Sequence, residues 1–126
     1  MRFVCLGCMD KSVWGKLSAA EQQSLVGECI AFDQELRAKG HFAGGFALQD
    51  SAAATTIRWK GDKASLTDGP FAETKEMLGG ILILEAKDKK EALAIMSRHP
   101  GIRIGPFEIR PADEAFMAQH PVLSKL

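Results

Sequence analysis

The sequence has no net charge. Its 126 residues carry 16 Lys and Arg against 16 Asp and Glu, with the two signs interspersed along the chain. Without a basic stripe there is no electrostatic footprint for nucleic acid, and an anionic membrane surface has nothing to attract. Long hydrophobic runs are also missing. The N-terminal MRFVCLGCMDK has one Arg and a short apolar run, but no hydrophobic region of signal-peptide length. Nothing approaches the roughly 20 apolar residues that a membrane span needs. These absences predict a soluble, cytoplasmic protein with neither nucleic acid nor membrane as a partner.

Cysteine is scarce, and its count of three is odd, which argues against a disulfide framework. Cys5 and Cys8 form a C-x-x-C, yet a zinc centre needs about four ligands and no second Cys or His pair follows. On a strand, a spacing of three sends the two thiols to opposite faces, so ordinary, partly buried cysteines are expected. The three histidines, His41, His99 and His120, form no Ser-His-Asp or Cys-His array. His99 precedes Pro100 at a helix end, where a cation favours the helix dipole, so a capping role is expected over a catalytic one. No metal and no cofactor is expected.

What is present suffices for one domain spanning 1–126, since 46% hydrophobic residues can fill one modest core. RFVCLG reads as a first strand. SAAE, Ser18 to Glu21, is a capping box. Leu25, Cys29, Phe32 and Leu36 follow at helical spacing, with Val26 and Ile30 alongside, and Lys39-Gly40 ends the helix. HFAGGFALQ is strand-like, with glycines that signal a bulge or a close backbone approach. TTIRWK and ASLT turn about Gly61-Asp62 as a hairpin. GGILILEA, apolar at four successive positions, reads as a strand covered on both faces. Asp88 caps a second helix, HPG breaks it, and PFEIRP makes the last strand. The order βαββ(β)αβ predicts an α+β, ferredoxin-like antiparallel sheet with its helices on one face. The other face would then leave Ile57, Trp59 and half of ILIL bare, and a second copy packed about a two-fold axis is the simplest cover.

The stretch TDGPFAETKE, residues 67–76, carries the candidate site. Gly69, Pro70 and Phe71 read as a rigid corner, with Asp68 capping the turn through its side chain and Phe71 plugging the core or a subunit boundary. If AETKE is extended, Glu73 and Lys75 share one face and hold a carboxylate and an ammonium at fixed separation, which suits a small polar or anionic ligand or a proton transfer. Solvated edge-strand charges would give the same pattern. Arg110, in EIRP, is a candidate anion clamp. The candidate ligand-binding set is therefore Asp68, Glu73, Lys75 and Arg110, with no catalytic residue assigned.

The sequence resembles the YCII-related, or DGPF-domain, family. The resemblance rests on the opening strand followed by MD and Trp14, on ELRAKG closing the first helix, on TDGPFAETKE with the following LGG, and on the terminal GPFEIRP. It implies a ferredoxin-like subunit paired as a dimeric α/β barrel, with a cleft near the DGPFAETKE motif that binds or converts a small molecule. Many members sit near genes for extracytoplasmic sigma factors, which implies as an alternative a non-enzymatic accessory protein for sigma-factor-dependent transcription. One branch is thought to use a His-Asp pair in a cleft, with the His on the first helix. The matching position here is close to Cys29, and this helix has no histidine, so that mechanism is not carried over.

Overall fold

A computed structural model describes residues 1–124. Strand β1 (Arg2–Asp10) runs into a short helix α1 (Lys11–Gly15) and the long helix α2 (Ala19–Ala38). Then come β2 (Phe42–Ala47), β3 (Thr55–Lys60), β4 (Lys63–Asp68), β5 (Glu76–Glu85), α3 (Lys89–Met96), β6 (Phe107–Pro111) and α4 (Glu114–Ala118). Strands β2, β5, β1 and β6 lie in that order in one antiparallel sheet, which is the ferredoxin-like arrangement.

Local sequence sets the helix ends. The Ser18 hydroxyl accepts from the Glu21 amide at 3.1 Å, and the Glu21 carboxylate accepts from the Ser18 amide at 2.9 Å, so the capping box satisfies two otherwise unpaired donors. Gly40 ends α2 at φ +79°, a conformation that a Cβ disfavours. The Asp88 carboxylate caps α3 by accepting from the Glu91 amide at 2.8 Å. The glycines of β2 do mark a bulge, because register with β5 shifts between Phe42 and Gly44.

Packing follows from register. On the face toward the helices, Phe3 of β1 stands opposite Leu84 of β5, and Cys5 opposite Leu82. All four are buried with Phe32 and Leu36 of α2 and with Ala92, Ile95 and Met96 of α3. Each large apolar side chain so buried contributes about 1.5–3 kcal/mol. Cys5 lies in this core while Cys8 lies beyond a register shift between Gly7 and Cys8.

Two differences from the sequence reading matter. Ile57 and Trp59 are not on the main sheet: β3 and β4 form a separate two-stranded ribbon, joined by Gly61-Asp62 with Gly61 at φ +64°. Alternation says which residues share a face, but not which sheet a hairpin joins. The face of the main sheet away from the helices is instead occupied by Val4, Leu6, Ile81 and Ile83, all half-buried. In addition, AETKE is not extended. The Thr74 hydroxyl donates to the Glu76 carbonyl at 2.6 Å, the chain bends there, and β5 begins only at Glu76.

Candidate functional site

Going along the helix-facing side of the sheet, side-chain volume runs out. The row Phe3–Leu84 gives way to Cys5–Leu82 and then to Gly7–Gly80, with Gly45 of β2 opposite Leu82. With no side chains to fill the space under α2, a cavity of about 730 Å³ opens there. Its walls are mainly apolar, with Leu25 and Cys29 of α2, Phe42 of β2 and Phe107 of β6 among them. A Cβ on Gly7 would lie 3.0 Å from the end of the Phe107 ring, so the ring would have to shift by a few tenths of an ångström to admit one. Gly105 fixes the adjoining wall, because a Cβ on it would collide with the Cys8 carbonyl.

A His-Asp pair stands in this cavity. His99, at the end of the segment following α3, is buried, wedged between the rings of Phe32 at 5.1 Å and Phe107 at 5.0 Å. The Gly101 amide donates to its Nδ1 at 3.0 Å. An amide N–H can only donate, so Nδ1 accepts, and the proton of the neutral ring sits on Nε2. Nε2 then donates to Asp33 Oδ1 on α2 at 3.1 Å. The Asp33 side chain remains partly open to the cavity, and no hydrogen bond to its second oxygen is recorded among the described residues. Asp33 is therefore a carboxylate fixed in orientation, with one oxygen committed to His99 and one available to a ligand.

His99 does act as a cap, but for the turn that follows it and not through the dipole of α3. The ring caps the following turn (Pro100–Arg103) and braces Asp33 instead of facing solvent. Sequence reasoning missed the pair because 66 positions separate its members. A signal was present, however: Asp33 follows Phe32 and lies one turn beyond Cys29, on the flank of an otherwise apolar stripe.

Two thiols line the same cavity, Cys8 and Cys29. Burial raises both above the ordinary thiol range. The carboxylates of Glu76 and Glu108 add to the effect at Cys8, and that of Asp33 adds to it at Cys29. At the rim, Lys11 pairs with Asp50 at 2.7 Å. Between the lining residues Met9 and Lys11 sits Asp10, buried, accepting from the Ser12 hydroxyl at 2.6 Å and the Ser12 amide at 2.9 Å, with Lys75 Nζ at 3.4 Å from its other oxygen. The Ser12 hydrogen bonds and the Lys75 charge hold this carboxyl below the usual range despite burial.

The sequence-derived set is dispersed. Lys75 reaches Asp10, as described. Asp68 is the last residue of β4 and exposed, and among the described residues its side chain makes no hydrogen bond or ion pair, so the expected Asp68 cap is not formed. The turn is held by backbone and by Thr56: the Gly69 amide donates to the Ala54 carbonyl at 2.7 Å, and the Thr56 hydroxyl donates to the Gly69 carbonyl at 2.8 Å. Gly69 itself has φ +104°, which explains the glycine. Phe71 is exposed instead of filling the core, and Glu73 is exposed and has no partner among the described residues. Arg110 pairs with Glu108 on β6, on the sheet face away from the helices. No hydrogen bond or ion pair joins any two of Asp68, Glu73, Lys75 and Arg110, and none of them lines the cavity. Among the described residues no group of three or more His, Cys, Asp or Glu is placed to hold a metal ion.

Fold and site together define a ferredoxin-like α+β domain with one glycine-floored cavity braced by a His-Asp pair. The chain belongs to the YCII-related domain family, whose model matches residues 1–114. It is 29% identical over 115 residues to the uncharacterised protein R00369 of Rhizobium meliloti (strain 1021), covering 88% of this chain and 91% of that one. Among solved structures it is similar to 5-chloro-2-hydroxyhydroquinone dehydrochlorinase (TftG) from Burkholderia phenoliruptrix AC1100, in complex with 2,5-dihydroxybenzoquinone. That match has a TM-score of 0.51 and 15% identity, and covers 90% of this chain and 94% of the other. At that identity the likeness is one of fold.

Proposed function

We propose that the cavity under α2 binds a small hydroxylated aromatic or quinone-type molecule, and that Asp33, held by His99, accepts a hydrogen bond or a proton from it. The observation that carries this reading is the buried imidazole whose single N–H points at a cavity carboxylate. Positioned acids and bases are what proton transfer requires, and flat apolar walls suit a ring. The dehydrochlorinase of similar fold, described with a dihydroxybenzoquinone, supports the ligand class.

Within the set Asp68, Glu73, Lys75 and Arg110, we assign Lys75 the ligand-related role, since its ammonium pairs with Asp10, which lies between the cavity-lining residues Met9 and Lys11, and would attract an anionic form of such a ligand. The working unit is a homodimer, and the free thiols suit a cytoplasmic setting. A transcription-accessory protein would present a flat patch; a cavity holding a hydrogen-bonded His-Asp pair favours the small-molecule reading.

The test is a thermal-shift panel of hydroxylated aromatics and hydroxyquinones. Binding should raise Tm for the native protein, less for Lys75→Ala, and not at all for Asp33→Asn, which keeps an oxygen for His99. Equal shifts in Asp33→Asn and the native protein would refute the assignment.

A further inference from the structure

The β3–β4 ribbon has one apolar face and one polar face, and they point to different neighbours. Ile57 stands opposite Leu66 and Trp59 opposite Ala64 on the apolar side. Ile57, Trp59 and Leu66 are 67%, 72% and 66% exposed. From the polar side, Thr56 donates to the Gly69 carbonyl, and Arg58 donates to the Phe71 carbonyl at 3.1 Å. These bonds fasten the polar side to its own corner and leave the apolar side facing away. A two-stranded ribbon alone is marginal in water, so an uncovered one with this pattern needs a cover.

A second bare apolar surface lies at the cavity mouth. Val26 and Ile30 share with Asp33 one flank of α2, at spacings of four and three. Together with Phe46 and Leu48 they are 43% to 77% exposed, and all four line the cavity. The α2 stripe is thus wider than the sheet beneath it can bury.

We infer that the ribbon of one copy lies across the α2 flank and cavity mouth of a second copy, so that Trp59 of the partner subunit closes the site. This rests on the small-molecule reading of that cavity. Area supports the pairing. Taking roughly 150–250 Å² for a large apolar side chain, ribbon and mouth each expose roughly 400 Å², and two such contacts about a two-fold axis bury about 1,600 Å², the size of a standard stable interface. Exchange about a two-fold axis is self-limiting, whereas one-way docking would propagate into a filament.

The experiment mixes two variants in a Cys8→Ser, Cys29→Ser background, one chain carrying Leu66→Cys and the other Val26→Cys. Mild oxidation should give a covalent dimer from the mixture and from neither chain alone. In parallel, Trp59 fluorescence in Trp14→Phe should be that of a buried indole, moving to longer wavelength as the protein is diluted. Cross-linking of Leu66→Cys with itself would place ribbon on ribbon and overturn the inference. So would water-exposed emission at every concentration. The panel ligands are added to the same samples: if they still bind while the cross-link and the emission change are both absent, the ribbon assignment fails and the cavity assignment stands. If the cross-link forms and no panel ligand binds, the reverse holds.

Discussion

The two ends of one sheet face are built from opposite materials. At one end Phe3, Leu84 and Leu36 are fully or almost fully buried and nearly interchangeable in role. At the other, Gly7 and Gly80 stand opposite each other, and the space above them is lined by Cys8, Cys29, Asp33 and His99. The backbone pairing is continuous between them, so the sheet supports the site without being part of its chemistry. Stability is concentrated where side chains are large, and chemistry is concentrated where they are absent.

Three measurements would break or sharpen that contrast. The largest effect belongs to the filled end. Phe3→Ala removes a fully buried ring and should cost about 3–5 kcal/mol in denaturant unfolding; a loss below about 1 kcal/mol would mean that this end is not the seat of stability. Next is the glycine end. Gly7→Ala forces the Phe107 ring to move and should cost about 1–3 kcal/mol as overpacking, while abolishing the thermal shift from panel ligands. Retained ligand binding would show that the Gly7 floor is not part of the site.

The smallest effect is seen in the thiols. Burial pushes Cys5 from the ordinary value of 9.0 up to about 12. A thiol reagent at mildly alkaline pH should therefore modify Cys8 and Cys29, which line the cavity, before Cys5. The folded state holds the Cys5 proton more tightly than the unfolded state, so this contribution to stability is intact below pH 9 and is lost as pH rises toward 12. Cys5→Ala should show a shallower loss over that range, read from urea midpoints. Equal slopes would mean that Cys5 is not sequestered from water.

Much of the fold was legible because it is local. The Ser18–Glu21 box, the Asp88 cap, the Gly61-Asp62 turn and the β2 bulge each depend on residues within a few positions of one another, and each formed. The order of elements then left few ways to build an antiparallel sheet with helices on one face. The detachment of the β3–β4 ribbon was not legible, because Ile57 and Trp59 alternate identically whether they join the main sheet or stand apart. The Asp33–His99 pair was hidden for a different reason. Each residue has an unremarkable local setting, a polar flank position and a pre-proline loop, and only the crossover after β5 brings them together. The conspicuous DGPFAETKE string drew notice because its backbone needs are unusual, as Gly69 shows; the charges after it owe nothing to that need.

The ribbon has a consequence for how such a protein can change over generations. Strands β2 and β5 are adjacent in the sheet, and the Leu48 amide donating to the Gly79 carbonyl extends their pairing to the point where the chain departs. Residues 49–75 thus leave and rejoin the same pair of strands, like an appendix on a long hairpin. Such an excursion can lengthen, shorten or be replaced without disturbing the register of any core residue. Lineages that share the chamber beneath α2 are free to diverge in what closes it, and the ribbon is where that divergence should accumulate.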